Sequence, residues 1–256
     1  MSKKQLTGNG NLETVKEVLK NSKGVRNQRT VGKKEMREEE WTRKEKLDYY
    51  CNLNNIVTIA TKNRKLGSQV CGLSFPAGVT CRPDAPCRKE CYCSKGMQQM
   101  SSVLGTYLKN YRIWLEDKDM FFDQVSNYLK YSGYRYMRWF DSGDLPTKEF
   151  LGDCIEKVIK LNPNVRFLMF TKRYEWVNEY LSENELPENL TVIFSSWNKS
   201  WKFENPYNLP VAYVDFEDRE QNCSIPEDAK TCDGLCSICY KCWNLKKGES
   251  VVFGQH

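Results

Sequence analysis

Val165-Arg166-Phe167-Leu168-Met169-Phe170, followed without a break by Thr171-Lys172-Arg173, is the stretch on which the fold turns. Pro163 ends the segment before it. The run is apolar and aromatic on both faces, which predicts a strand covered on both sides. The chain then enters a short helix holding Trp176, Val177 and Leu181. Working outward, residues 147–160 read as a helix with Phe150, Leu151, Cys154, Ile155, Val158 and Ile159 on one face. Cys154 therefore reads as a small buried hydrophobe.

Downstream, Leu190-Thr191-Val192-Ile193-Phe194 is a strand ending at Ser195-Ser196-Trp197-Asn198, and Val211-Ala212-Tyr213-Val214 is another ending at Asp215. Upstream, Tyr134 to Phe140 is strand-like and ends in Asp141-Ser142-Gly143-Asp144. Earlier still, Gln69-Val70-Cys71-Gly72-Leu73-Ser74-Phe75 stops at Pro76. Between these two, residues 101–131 read as amphipathic helix, with stripes at Leu104, Leu108, Tyr111 and Leu115 and at Phe121, Val125, Tyr128 and Leu129, stopped by Gly133. Strands alternating with helices predict an α/β fold with mostly parallel strands.

In such folds the carboxyl ends of the strands carry the chemistry. Here the segments after the strands are polar where the strands are apolar. That contrast predicts a site at this end, against the plainer reading that loops are polar anyway. Lys172 and Arg173 stand where a strand turns into a helix, and cations there oppose the helix dipole. A bound carboxylate or phosphate would compensate them; alternatively one of them pairs with Asp141 or Asp144. Neither G-x-G-x-x-G nor a Walker A sequence occurs.

The chain has 256 residues, 40% hydrophobic and 28% charged, enough to bury a core. No apolar window is long enough to span a membrane. Met1 to Gln5 lead into no apolar stretch, so no secretory signal and a cytoplasmic location are expected. The one histidine is His256, which excludes catalytic triads, HExxH zinc sites, Cys2His2 fingers and haem–His ligation. The net charge is +6, and residues 1–48 hold 13 Lys/Arg against 8 Asp/Glu. This segment is poor in apolar residues, with a short helix expected near residues 13–19. It reads as a solvated arm or, more sharply, as a nucleic-acid contact.

Twelve cysteines in a chain expected in reducing cytosol point to metal binding rather than disulfides. Nine fall in two windows, four at 81–93 and five at 223–242 with Cys223 included. Cys232-x3-Cys236-x2-Cys239-x2-Cys242 packs four thiols into eleven residues, more compact than the paired knuckles of structural zinc. A [4Fe–4S] cube, with its corners apart, suits such a run. Zinc and idle thiols are the alternatives, and Cys223 is a substitute ligand. The other window is Cys81-x5-Cys87-x3-Cys91-Tyr92-Cys93. Three of its cysteines would hold a cube with one iron open to substrate; alternatively the two windows join in one site.

The segments Leu73–Cys81, Cys87-Arg88-Lys89-Glu90-Cys91-Tyr92, Arg138-Trp139-Phe140-Asp141-Ser142-Gly143-Asp144, Phe170–Arg173 and Cys236-x2-Cys239-x2-Cys242-Trp243 resemble the phage "gene product 88" family over residues 55–245. That resemblance implies a phage or prophage origin. More distantly, the chain resembles radical S-adenosylmethionine enzymes. This implies a partial (β/α) barrel over residues 51–222, preceded by a basic arm, 1–50, and followed by a Cys-rich metal-binding segment, 223–256. It implies a [4Fe–4S] cluster on Cys81, Cys87 and Cys91, spaced more widely than the family's C-x3-C-x2-C. Ser142-Gly143-Asp144 would hold the amino group of S-adenosylmethionine, and Lys172 or Arg173 its carboxylate. Cys232, Cys236, Cys239 and Cys242 would hold an auxiliary cluster. The implied chemistry is one-electron reduction of the sulfonium, with electrons from a host reductant, to make a radical that attacks an unknown substrate. The competing expectations are a zinc- or cluster-stapled module binding nucleic acid or a host protein, and an iron–sulfur redox sensor.

Overall fold

The computed structural model describes residues 42–61 and 66–255. The first 41 residues, with the expected helix near 13–19 and most of the basic arm, lie outside the described residues. The first described element is α1 (Arg43–Asn52), whose N-cap Thr42 and Glu45 form a capping box. Then come β1 (Val70–Leu73), the cysteine loop, α2 (Ser101–Glu116), α3 (Lys118–Ser132) and β2 (Tyr136–Trp139). Helix α4 (Glu149–Cys154) continues with π-type bonding through Ile155–Ile159 into β3 (Arg166–Thr171). There follow α5 (Tyr174–Leu181), β4 (Leu190–Ser195), β5 (Val211–Asp215), β6 (Lys230–Thr231), the short α6 (Cys236–Cys239) and β7 (Ser250–Gly254).

The strands form one sheet in the order β1-β2-β3-β4-β5-β7-β6, and every pairing is parallel. The α/β class expected from the strand–helix rhythm is what the chain adopts. Neighbours in sequence are neighbours in space through β5. The crossovers therefore return over the same face, the order of an open sheet compatible with a partial barrel.

The two faces are covered differently. Met137, Trp139, Phe167, Met169, Val192 and Phe194 pack against Phe121, Phe122, Val125, Phe150, Leu151, Ile155 and Val158 of the helices. Val70, Leu168, Ile193, Ala212 and Val251, on the alternate residues, pack against Cys242, Trp243 and Leu245. The Cys-rich segment thus lines the face where a barrel would have its bore. It is pinned there: the Trp243 indole donates to the Met137 carbonyl at 3.1 Å, and Thr191 Oγ1 donates to the Trp243 carbonyl at 3.0 Å. Tyr240 stacks on Tyr136 at 4.3 Å.

The stripe of α4 is buried as expected, Cys154 included. In α2 the expected stripe is rotated. Leu115 is 57% exposed, while Gly105, Thr106, Lys109, Asn110, Ile113 and Trp114 are buried. Tertiary contacts override hydrophobicity there. Asn110 trades hydrogen bonds with both backbone groups of Thr58, at 2.8 and 2.9 Å. Gly105 is the only residue that clears Tyr50, because a Cβ would collide with that ring's Cβ. Asp117 divides α2 from α3 by capping the Met120 amide at 2.9 Å. Gly133, with φ +75°, ends α3. No described helix is long and apolar enough to cross a membrane.

Candidate functional site

A cavity of about 530 Å³ opens at the carboxyl ends of the strands, within the range of small-molecule sites. Each polar segment expected there contributes except Asp215. Cys81, Cys87, Cys91 and Cys93 line it, as do Asp141, Ser142, Gly143 and Asp144, then Thr171 and Lys172, then Ser195 and Trp197. A second cavity of about 20 Å³ lies beneath the Cys-rich segment, and Cys232, Cys236, Cys239 and Cys242 all line it. Arg138, Phe170 and Phe253 line both. The two windows meet opposite sides of one thin layer.

Local geometry explains why the 141–144 loop reaches the first window. Phe140 leaves β2 at φ +61°, a left-handed conformation unusual for a bulky residue. Gly143, at φ +84°, lies so close to the cysteine loop that a Cβ would sit 2.6 Å from Thr80 Oγ1 and 2.8 Å from the Phe75 carbonyl. The contact is then stitched: the Phe75 amide donates to the Ser142 carbonyl at 3.1 Å, the Ala77 amide to Ser142 Oγ at 3.2 Å, and the Asp144 amide to Thr80 Oγ1 at 3.0 Å.

Asp144 reaches the cavity wall, but its carboxylate is consumed internally. It accepts from Thr171 Oγ1 at 2.6 Å, the Leu145 amide at 2.7 Å and the Lys172 amide at 2.9 Å. Burial pushes its carboxyl above the ordinary range, with those hydrogen bonds pulling the other way. The anion expected at the strand-to-helix turn is thus the protein's own Asp144. The two cations part company. Lys172 lines the cavity, donates to Ser195 Oγ at 2.8 Å and lies 5.8 Å from the Trp197 ring centre. Arg173 is not among the lining residues; it donates to the Thr80 carbonyl at 2.9 Å and stacks over Trp176 at 4.1 Å.

The thiols differ in kind. Burial raises Cys81 and Cys87, with the Lys172 charge opposing the shift at Cys87. A hydrogen bond from Cys93 pulls Cys91 down to about 6, and Lys172 adds to this. Cys93 is buried, with its Sγ 3.7 Å from the Asp141 carbonyl. In the lower cavity, burial and then its cysteine neighbours push Cys242 up to about 12. Cys223 stands apart from both sets, 3.3 Å from Ser196 Oγ and 3.6 Å from the Trp197 carbonyl. All twelve cysteines are thiols rather than disulfides. Among the described residues no three Cys, His, Asp or Glu side chains close around a point as a single ion requires. Zinc needs four such donors at ~2.3 Å or less, whereas a cube takes its thiolates at separate corners.

Sequence reasoning missed Arg138. It is the one cation in an aromatic strand, on the same face as Tyr136. Its Nε lies 2.8 Å from Asp141 Oδ1 in an ion pair, without the alignment of a hydrogen bond, and its guanidinium lies 5.0 Å from the Phe170 ring centre. Burial works against its charge, but Asp141, Tyr92, Cys236 and Cys242 around it outweigh that and hold it cationic. The Tyr92 hydroxyl donates to the Asp141 carbonyl.

The family model for Gene product 88 matches residues 51–244, well over half of the chain and inclusive of both cysteine windows. The chain belongs to the Gene product 88 family. This is the phage family whose motifs the sequence resembles. No curated protein matches this Gene product 88 chain, and no solved structure does.

Proposed function

We propose that this Gene product 88 protein is an iron–sulfur enzyme of the radical S-adenosylmethionine type, with an open centre on Cys81, Cys87 and Cys91 and a closed one on Cys232, Cys236, Cys239 and Cys242. The observation that carries the reading is the division of the cysteines. Four line a cavity large enough for a cofactor and a substrate, with Cys93 beside the Asp141 carbonyl and Cys81, Cys87 and Cys91 left to serve as ligands, and four line a small one beneath it. A cluster held by three thiolates would supply one-electron reduction of a sulfonium cofactor bound at its open iron.

The protein's own groups do the rest. Lys172 presents its ammonium to the cofactor's carboxylate, and Ser195 orients it. The Asp141 carboxylate, which pairs with Arg138 through Oδ1, and the Ser142–Gly143 backbone meet the amino group, since Asp144 accepts three hydrogen bonds in holding the turn. The apolar walls, Phe140, Phe170, Val214 and Phe253, keep water from the reacting atoms. The test is reductive cleavage: anaerobically reconstituted protein with dithionite and S-adenosylmethionine releases 5′-deoxyadenosine. Intact clusters with no cleavage would reject the enzyme and leave a sensor or structural role.

A further inference from the structure

Two thiols of the lower set, Cys236 and Cys242, press on a cation that also lines the upper cavity. Arg138 lines the large cavity and the small one, with Phe170 and Phe253 completing the layer between them. Its guanidinium is fixed by Asp141 on one side and the Phe170 ring on the other. The small cavity has one other cation on its wall, Lys241, whose ammonium pairs with Asp233 at 2.7 Å at the surface. Four thiolates outweigh the charge of an iron–sulfur core, and each added electron deepens the excess. In a buried site that charge needs a fixed counter-charge more than a solvated one does.

We propose that Arg138 is a positioning residue that sets the reduction potential of the closed centre, with Asp141 attenuating it. This inference rests on the iron–sulfur reading above. The guanidinium favours the state with one more electron, and the Asp141 carboxylate, paired to it, returns part of that effect. The charge placed on Arg138 by contacts in the upper cavity is therefore felt in the lower one.

The experiment is potentiometric titration with dithionite and mediators, followed by electron paramagnetic resonance, on anaerobically reconstituted full-length protein. Iron and sulfide are counted in each sample. Arg138→Gln is expected to make reduction of the closed centre at least about tenfold less favourable, a fall of ~59 mV for one electron. Arg138→Lys, which keeps the charge, is expected to recover most of that. Asp141→Asn is expected to shift the potential upward. Shifts of opposite sign separate a charge effect from loosened packing, which would lower iron content in both variants without reversing the sign. Should Arg138→Gln fail to fold, the Lys and Asn variants still carry the comparison. Full iron with potentials unmoved in the variants overturns the role of Arg138 alone. Wild-type protein that takes up no iron overturns this inference together with the reading beneath it.

Discussion

The two cysteine windows share a wall and little else. The first sits on a loop after β1, facing a cavity of about 530 Å³ with Lys172 across from it. Its most acidic thiol, Cys91, is lowered by the hydrogen bond from Cys93. The second is held against the sheet by Trp243 and Tyr240, encloses about 20 Å³, and keeps Cys242 protonated through burial. On the iron–sulfur reading proposed above, the contrast fits two different roles. A reactive centre needs room, a cation and a thiolate available before metal arrives. A closed centre needs packing, and the metal itself supplies the driving force for deprotonation.

Breaking the closed site should have the largest effect. Cys239→Ala removes a proposed ligand, and in that reading its binding free energy is also folding free energy. Tm is expected to fall by roughly 10 °C or more, measured on reconstituted protein. Cys87→Ala, on the loop of the open site, should lose iron yet shift Tm by less than about 3 °C. Equal shifts in the two variants would erase the distinction between the windows.

Next comes Asp144→Ala. Three donors, on Thr171, Leu145 and Lys172, lose their buried acceptor. The expected cost is about 3 kcal/mol in a denaturant melt. An unchanged melt would return Asp144 to direct cofactor binding. A smaller effect separates the neighbouring cations. Lys172→Met should weaken S-adenosylmethionine binding about tenfold or more by calorimetry, while Arg173→Met leaves it within about twofold of wild type, since Arg173 faces the Thr80 carbonyl and Trp176. Equal losses would contradict the assignment of Lys172 alone.

The subtlest contrast is in thiol chemistry without metal. The folded pKa of Cys91 lies below the ordinary thiol value, so its thiolate dominates as pH rises through about 6. That of Cys242 lies above, so its thiolate stays scarce until about 12. Iodoacetamide mapped by mass spectrometry should label Cys91 at neutral pH and spare Cys242. The reverse order would invert the comparison.

The α/β class and the place of the large cavity were legible because the parallel strands are apolar runs, with polar segments such as Asp141–Asp144 and Thr171–Arg173 right after them. The α4 stripe was legible because nothing polar competes with it. The α2 face was not, because Lys109 and Asn110 are buried by partners far along the chain that local periodicity does not register. Strand β7 was missed because Val251-Val252-Phe253 is too short a run to mark a strand beside the cysteine cluster. The grouping of the cysteines was readable from spacing, but the layer between them was not. Arg138, Phe170 and Phe253 come from three strands, and β4 and β5 lie between β3 and β7, so nothing in the sequence shows that the Phe170 and Phe253 rings stand 5.9 Å apart.

The most direct measurement is the count of iron and acid-labile sulfide per chain in anaerobically reconstituted protein, wild type beside Cys87→Ala and Cys239→Ala. Two separate centres predict about eight irons and eight sulfides, falling to about four in each single variant. A colourless protein carrying stoichiometric zinc, or one in which either substitution abolishes all iron at once, would contradict two centres divided by the Arg138 layer.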